Sequence, residues 1–335
     1  MDRLNRILRH KPYMVEAGFK RTSTGNNLRM TPTEFDRRIK DKLGMERLPF
    51  ETLHLGGRTR FGPSRPRDAG WNAAADLFNK MRTGEMQEPI LAPWDRSYFE
   101  DQAMTMFDLY WSGEVKINKY GTEELAVVDA YGEKGTLFVE YKKCGYFPYL
   151  CGKKDYTDRI SLIADCIWIV TSDNKVLFQQ RSGNVAIGQG LLSASAEGNV
   201  EARHKSSRRK LSPAHAAVTE AKEEVGIEVD IRKVQFVGAA LDNMLSFNHL
   251  LTYNAIVGHS ETDIREIRKK DGVDKEGEVE KIFYPRLDDL HEFVANYFNN
   301  LTPSGIFGSI LLGVTQYSER WLEDLGKKVA ELRHA

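Results

Sequence analysis

The chain has 335 residues, and its 48 lysines and arginines balance 48 aspartates and glutamates, for a formal net charge of zero. That balance supplies no general electrostatic pull toward nucleic acid or an anionic membrane, so neither partner is expected. The length suffices for two domains of ordinary size; no run of eighteen apolar residues predicts a membrane span, and MDRLNRILRHKPYM lacks the apolar run of a secretory signal.

The first regular element is predicted at TPTEFDRRIKDKL, where Thr31 is an N-cap, Pro32 takes the first helical position and Glu34 closes a capping box. The stretch LGGRTRFGPSRPRDAGW sets Arg58, Arg60, Arg65 and Arg67 among glycines and prolines; it reads first as a solvated loop and second as a phosphate site. Helical spacing of apolar residues recurs over 68–81 and 97–111, and short β-rich runs separated by glycines follow over 114–143. The polar segment 151–159 is a junction, so two units are expected: an N-terminal α/β domain over 1–157 and a second domain over 158–335. The three cysteines, Cys144, Cys151 and Cys166, are odd in number and lack zinc-like spacing, so they are expected as reduced thiols of a cytoplasmic protein.

The second half opens with ISLIADCIWIVTSDNKVLFQQR, two β-rich runs around a polar turn, which predicts a hairpin ending at Arg181. A glycine-containing segment, GQGLLSASAEGNVEA, leads into the basic stretch RHKSSRRKLS and then a helix over about 213–225. Strands are predicted at VDIRKVQFVGAAL, HLLTYNAIVG and EVEKIFYP, and the chain ends in helix, with Thr302 and Pro303 as the cap and first position of the last one.

The helix at AVTEAKEEVGI carries the chemistry. On an α-helix, residues three and four apart share a face, so Glu220, Glu223 and Glu224 project into one arc while Lys222 points away. Gly226 is the expected stop, which puts the three acids in the last turns, where the helix dipole disfavours them. Dipole and like-charge repulsion each oppose this by about 0.3–1 kcal/mol per interaction. A solvated acidic face is the ordinary explanation. A bound cation is the other, and Mg2+ takes one or two carboxylates together with phosphates and waters.

These residues resemble the Nudix hydrolases, whose box reads G-x5-E-x7-R-E-U-x-E-E-x-G-U, with U aliphatic. Residues 220–227, EAKEEVGI, match its second half, Ala216 and Ala217 stand at a core-facing alanine pair, and EGNVE over 197–201 is similar to the start, with Gly198 in the glycine slot. The resemblance spans about 158–335. It implies an α+β fold, a Nudix-type α/β/α sandwich with a mixed sheet, and cleavage of a nucleoside-diphosphate-linked substrate with Mg2+ or Mn2+. It makes Glu220, Glu223 and Glu224 the metal ligands, with Glu220 and Glu224 first. It also implies a further glutamate from DKEGEVEKIF, Glu276 or Glu278 rather than Glu280, which falls in the following strand. The expected substrate-binding residues are Gly198, Glu201, Arg181, Arg208 and Arg209, and a homodimer is compatible with the chain.

The match departs in three places: Thr219 replaces the box arginine, His204 the first glutamate, and fourteen residues separate these two where the family has seven. Threonine cannot supply the arginine's bidentate hydrogen bonds. Either a cation of the basic insertion, Arg208, Arg209 or Lys210, takes that place, or the chain has become a nucleotide-binding sensor with little turnover. The layout, with a β-rich leader and an irregular box, is similar to the branch that hydrolyses UDP-sugars.

Overall fold

The computed structural model describes residues 30–63, 123–133, 136–145, 161–185, 187–201, 203–204, 211–244, 248–271, 273 and 277–334. The helices expected over 68–81 and 97–111, the junction at 151–159, Cys151, Arg65, Arg67, Arg208, Arg209, Lys210 and Glu276 lie outside these residues.

Helix α1 (Pro32–Leu43) starts where expected: the Thr31 side chain accepts from the Glu34 N–H, and Gly44 closes the helix at φ 61°. The Glu34 carboxylate is bonded to Arg38 one turn on. Strands β1 (Phe50–Leu55) and β2 (Arg58–Pro63) follow. The arginine- and glycine-containing stretch is therefore strand over Arg58–Pro63, not loop, and it pairs in parallel with β4 (Thr136–Gly145), which is antiparallel to β3 (Glu123–Glu133). Backbone pairing with a distant strand is what the local glycine-rich pattern did not carry.

The central sheet has the order β1-β9-β10-β5-β8, built from β5 (Ile163–Val170), β8 (Ala196–Asn199), β9 (Gln235–Asp242) and β10 (His249–Ile256). It is mixed, since β10 and β5 run parallel while the other pairs are antiparallel. The second small sheet is β11 (Val279–Phe283), β6 (Phe178–Arg181) and β7 (Leu192–Ser193). The expected hairpin at 160–181 is thus split between two sheets: β5 and the segment before β6 touch through the Val170–Val176 bridge and then diverge. The strand expected from residue 229 begins only at Gln235, because Asp230 caps a 3-10 turn over Ile231–Lys233.

Strand β5 is buried along its whole length, and alternation divides its side chains between two cores. Ala164, Cys166, Trp168 and Val170 join α1, α4 (Leu290–Tyr297), α5 (Pro303–Tyr317) and α6 (Arg320–His334). Ile163, Ile167 and Ile169 join α2 (Pro213–Glu220), α3 (Glu261–Asp271), β3 and β4. Helices therefore cover both faces, and the α+β architecture expected from the sequence is present. Helix α5 is apolar on nearly all sides because it lies between β5 and β9 on one side and α4 and α6 on the other. The terminal helical stretch is two helices rather than one, broken at Ser318, which has φ 73°. Each large aliphatic or aromatic side chain buried in these cores contributes roughly 1.5–3 kcal/mol.

Residues from both sides of position 157 share this packing. Strand β1 is the edge of the central sheet beside β9, and Phe35, Ile39 and Leu43 of α1 lie in the α5-side core. Among the described residues no helix is long and apolar enough to cross a membrane.

Candidate active site

Helix α2 carries Ala216 and Ala217 on the face that meets the sheet, both fully buried with Ile163 and Ile167. Small side chains let the helix approach β5 closely and bring its last turns over β8. The helix then widens into a π turn over Ala221–Val225, and Gly226 ends it at φ 85°. An i→i+5 turn rotates less per residue than an α turn, so Glu223 falls short of the arc occupied by Glu220 and Glu224. Glu223 is exposed, Glu224 is 6% exposed, and Glu220 is only partly exposed. The sequence did not signal this π turn.

Gly198 stands on β8 opposite Asp165 of β5. A Cβ at 198 would collide with the Cγ, Cδ and Oε1 atoms of Glu220. The Glu220 carboxylate lies in the notch that the missing side chain leaves. Burial pushes the Glu220 carboxyl well above its ordinary value of 4.5, and the charges of Asp165, Glu223, Glu278 and Glu201 push it further. Glu224 is raised in the same way, by burial first and then by Glu220 and Glu278, while Arg181 opposes the rise.

Glu224 has defined partners. Its Oε2 accepts from Gln179 Nε2 at 3.1 Å and from the Glu197 backbone N–H at 3.2 Å. Arg268 of α3 donates to the Glu224 carbonyl oxygen, which places a cation at the end of the π turn. Glu278 precedes β11, and its carbonyl accepts from the Ser182 N–H at 2.8 Å, which ties it to the end of β6.

The structure thus brings together Glu220, Glu224, Glu278 and Gly198, with Glu223 at the rim. Glu201 is also close enough to raise Glu220, but its carboxylate pairs with Arg203 Nη2 at 2.8 Å. Arg181 Nη1 bonds Glu197 Oε1 at 2.6 Å, so this guanidinium is tied to a protein carboxylate. Thr219 donates its hydroxyl to the His215 carbonyl at 2.8 Å, along its own helix. His204 is buried; its Nδ1 accepts from the Glu201 N–H at 3.0 Å, and its Nε2 has no hydrogen-bond partner among the described residues. Burial first, then the charges of Arg203 and His215, lowers His204 to about 4, so it is neutral at pH 7.

Two residues were missed from the sequence. Asp165 is fully buried, on the β5 face that meets α2, and its charge raises both Glu220 and Tyr253. Its signal was there to be read: a single acid in the apolar run ISLIADCIWIV, in phase with Ile163, Ile167 and Ile169. Glu197 had no such signal beyond its place beside Gly198. Its Oε2 accepts from Ser304 Oγ at 2.7 Å.

The donor set is hard carboxylate oxygen, suited to Mg2+ or Mn2+. Among the described residues, no three His, Cys, Asp or Glu side chains are gathered as a ready cage. A Mg2+ ion that keeps water and phosphate in its shell needs only one or two carboxylates, so Glu220 and Glu224 fit it. A cation there would offset the repulsion that raises both groups.

No protein-family model matches the chain, and no curated protein does. Several solved structures are similar. DR0079 from Deinococcus radiodurans is 12% identical, with a TM-score of 0.33 over 56% of this chain and 97% of that one. The Nudix domain of NrtR from Shewanella oneidensis, complexed with ADP ribose, is 14% identical, with a TM-score of 0.31 over 49% of this chain and 93% of that one. A Nudix-family hydrolase from Clostridium perfringens is 15% identical, with a TM-score of 0.26 over 45% and 95%. At such low similarity the site stands on its own geometry.

Proposed function

We propose that the protein is a divalent-metal-dependent hydrolase of a nucleoside-diphosphate-linked compound, with UDP-sugars first among the substrates to test. One observation carries this reading: Glu220 and Glu224, both raised by burial and by surrounding carboxylates, occupy one helix end beside the Gly198 notch. Maintaining like charges there is unfavourable without a cation to bind.

Glu220 and Glu224 are the proposed ligands of Mg2+ or Mn2+, which when bound polarises P–O bonds and lowers the pKa of water. Gln179 and the Glu197 N–H hold Oε2 of Glu224, so its other oxygen is the one that would serve a bound ion. Glu278, whose charge reaches both Glu220 and Glu224, is the candidate to take a proton from the attacking water, with Glu276 the alternative outside the described residues. Glu223 remains a candidate outer ligand or water-orienting group. Glu201, Arg208 and Arg209 are the candidates for contact with the diphosphate.

The experiment is a panel of UDP-sugars, ADP-ribose, NAD, dinucleoside polyphosphates and NTPs, each with Mg2+ or Mn2+. Products expected with the native chain should vanish in Glu224→Gln. A sensor with little turnover is the second reading, favoured by Thr219, whose hydroxyl serves the helix backbone where the resembling box has a guanidinium. Tight, metal-independent binding without products would establish it in place of the hydrolase.

A further inference from the structure

Arg181, at the end of β6, makes two bonds inside the fold. Its Nη1 meets Glu197 Oε1 at 2.6 Å, and its Nε donates to the Ile187 carbonyl at 3.0 Å. The two charged side chains are 18% and 14% exposed. Glu197 Oε2 accepts from Ser304 in the first turn of α5. The same residue's backbone N–H donates to Glu224 Oε2. One residue of β8 therefore joins β6, α5 and the carboxylate at the helix end.

From this linkage we infer that Arg181 and Glu197, with Ser304, are positioning residues that hold the β8 amide against Glu224 and so fix the orientation of that carboxylate. The inference rests on the proposed hydrolase reading for its consequence in metal binding, although the linkage itself exists without metal. The physical reason is the burial of the pair. Removing Arg181 leaves the Glu197 charge enclosed and uncompensated, which favours its turning out toward water. That rotation releases β8 from its tethers to Arg181 and Ser304, and so frees the strand to draw its N–H away from Glu224. Neighbouring groups that orient a metal ligand typically change metal affinity about 10–100-fold when removed.

The test uses the full chain without metal, then titrated with Mn2+ alone. Amide hydrogen exchange at Glu197 is compared in the native chain, Arg181→Gln, Arg181→Lys and Ser304→Ala. The controls are the Ser195 and Val200 amides, which bond the Ile167 and Ile163 carbonyls of β5. Arg181→Gln is expected to speed exchange at Glu197 about 10-fold while the two controls stay protected, with Arg181→Lys in between. Mn2+ affinity, by calorimetry, is expected to weaken about 10-fold or more in Arg181→Gln. Unchanged exchange at Glu197 in folded Arg181→Gln overturns the inference. So does unchanged affinity, and so does a higher KM alone, which would make Arg181 a substrate contact. Should Arg181→Gln fail to fold, Ser304→Ala decides by the same exchange readout. A native chain that binds no Mn2+ defeats the hydrolase reading, while the exchange measurement still decides the positioning role.

Discussion

Gly198 and Glu220 are complementary: the carboxylate of one lies where any side chain of the other would be. Gly198→Ala must therefore displace Glu220, and it can do so by moving a flexible side chain rather than backbone. Stability should change by about 1 kcal/mol, because the atoms nearest the new methyl all belong to that flexible side chain. Activity should fall roughly 100-fold, the effect of a misplaced group at a reacting centre. Thermal melts and turnover, measured together, check this. A melt lowered as strongly as activity would assign Gly198 to the fold alone.

Gly226 differs in kind. Its φ of 85° is left-handed, and a Cβ would lie 2.5 Å from Val273 Cγ2. Gly226→Ala should destabilise by about 1–3 kcal/mol through backbone strain and overpacking. Denaturant melts measure this directly. Any activity loss should follow the loss of the folded fraction.

The contrast between these two glycines shows how far the sequence could be read. Gly226 was legible as a helix stop because that signal is local: an acid-rich helix, then glycine. Gly198 was legible by position but not by role. It was expected to admit a substrate diphosphate, whereas it is Glu220, twenty-two residues later in the chain, that fills its notch. The terminal caps at Thr31 and Thr302 were legible for the same local reason. The β1–β9 pairing joins residues nearly two hundred positions apart and left no local trace. The π turn was hidden too: AKEEV has ordinary helix-forming residues, and nothing in those five marks the wider turn.

His204 gives a pH signature on the acid side. Its folded pKa of about 4 lies below the ordinary 6.5, so below pH 6.5 the unfolded chain binds a proton that the folded chain does not. Stability should fall as pH drops from about 6.5 to about 4 and be insensitive to this group above that window. The integrated loss is on the order of 3 kcal/mol. His204→Gln should flatten this part of the stability curve. Urea melts across the window test it, and an unchanged slope in the variant would assign the acid loss to other groups.

Glu220 gives the opposite sign, and its response to metal separates the two readings of the site. Its folded pKa is raised above 4.5, so above that value the unfolded chain releases a proton that the folded chain retains. In EDTA, stability should therefore decline as pH rises from about 4.5 and level off only beyond the raised folded value. Glu220→Gln removes the buried titrating charge and should stabilise the metal-free protein at pH 8 by on the order of 1–3 kcal/mol. Mg2+ should act in reverse on the native chain: ligation requires ionised carboxylates, so it releases protons and strengthens with pH. The native melting temperature should rise with added Mg2+ at pH 8, rise less at pH 5, and stay fixed at both in Glu220→Gln. Differential scanning calorimetry in EDTA and in millimolar Mg2+ measures all four conditions. A native chain whose melting temperature ignores Mg2+ at pH 8 would leave the raised carboxylates as a feature of the fold without a cation.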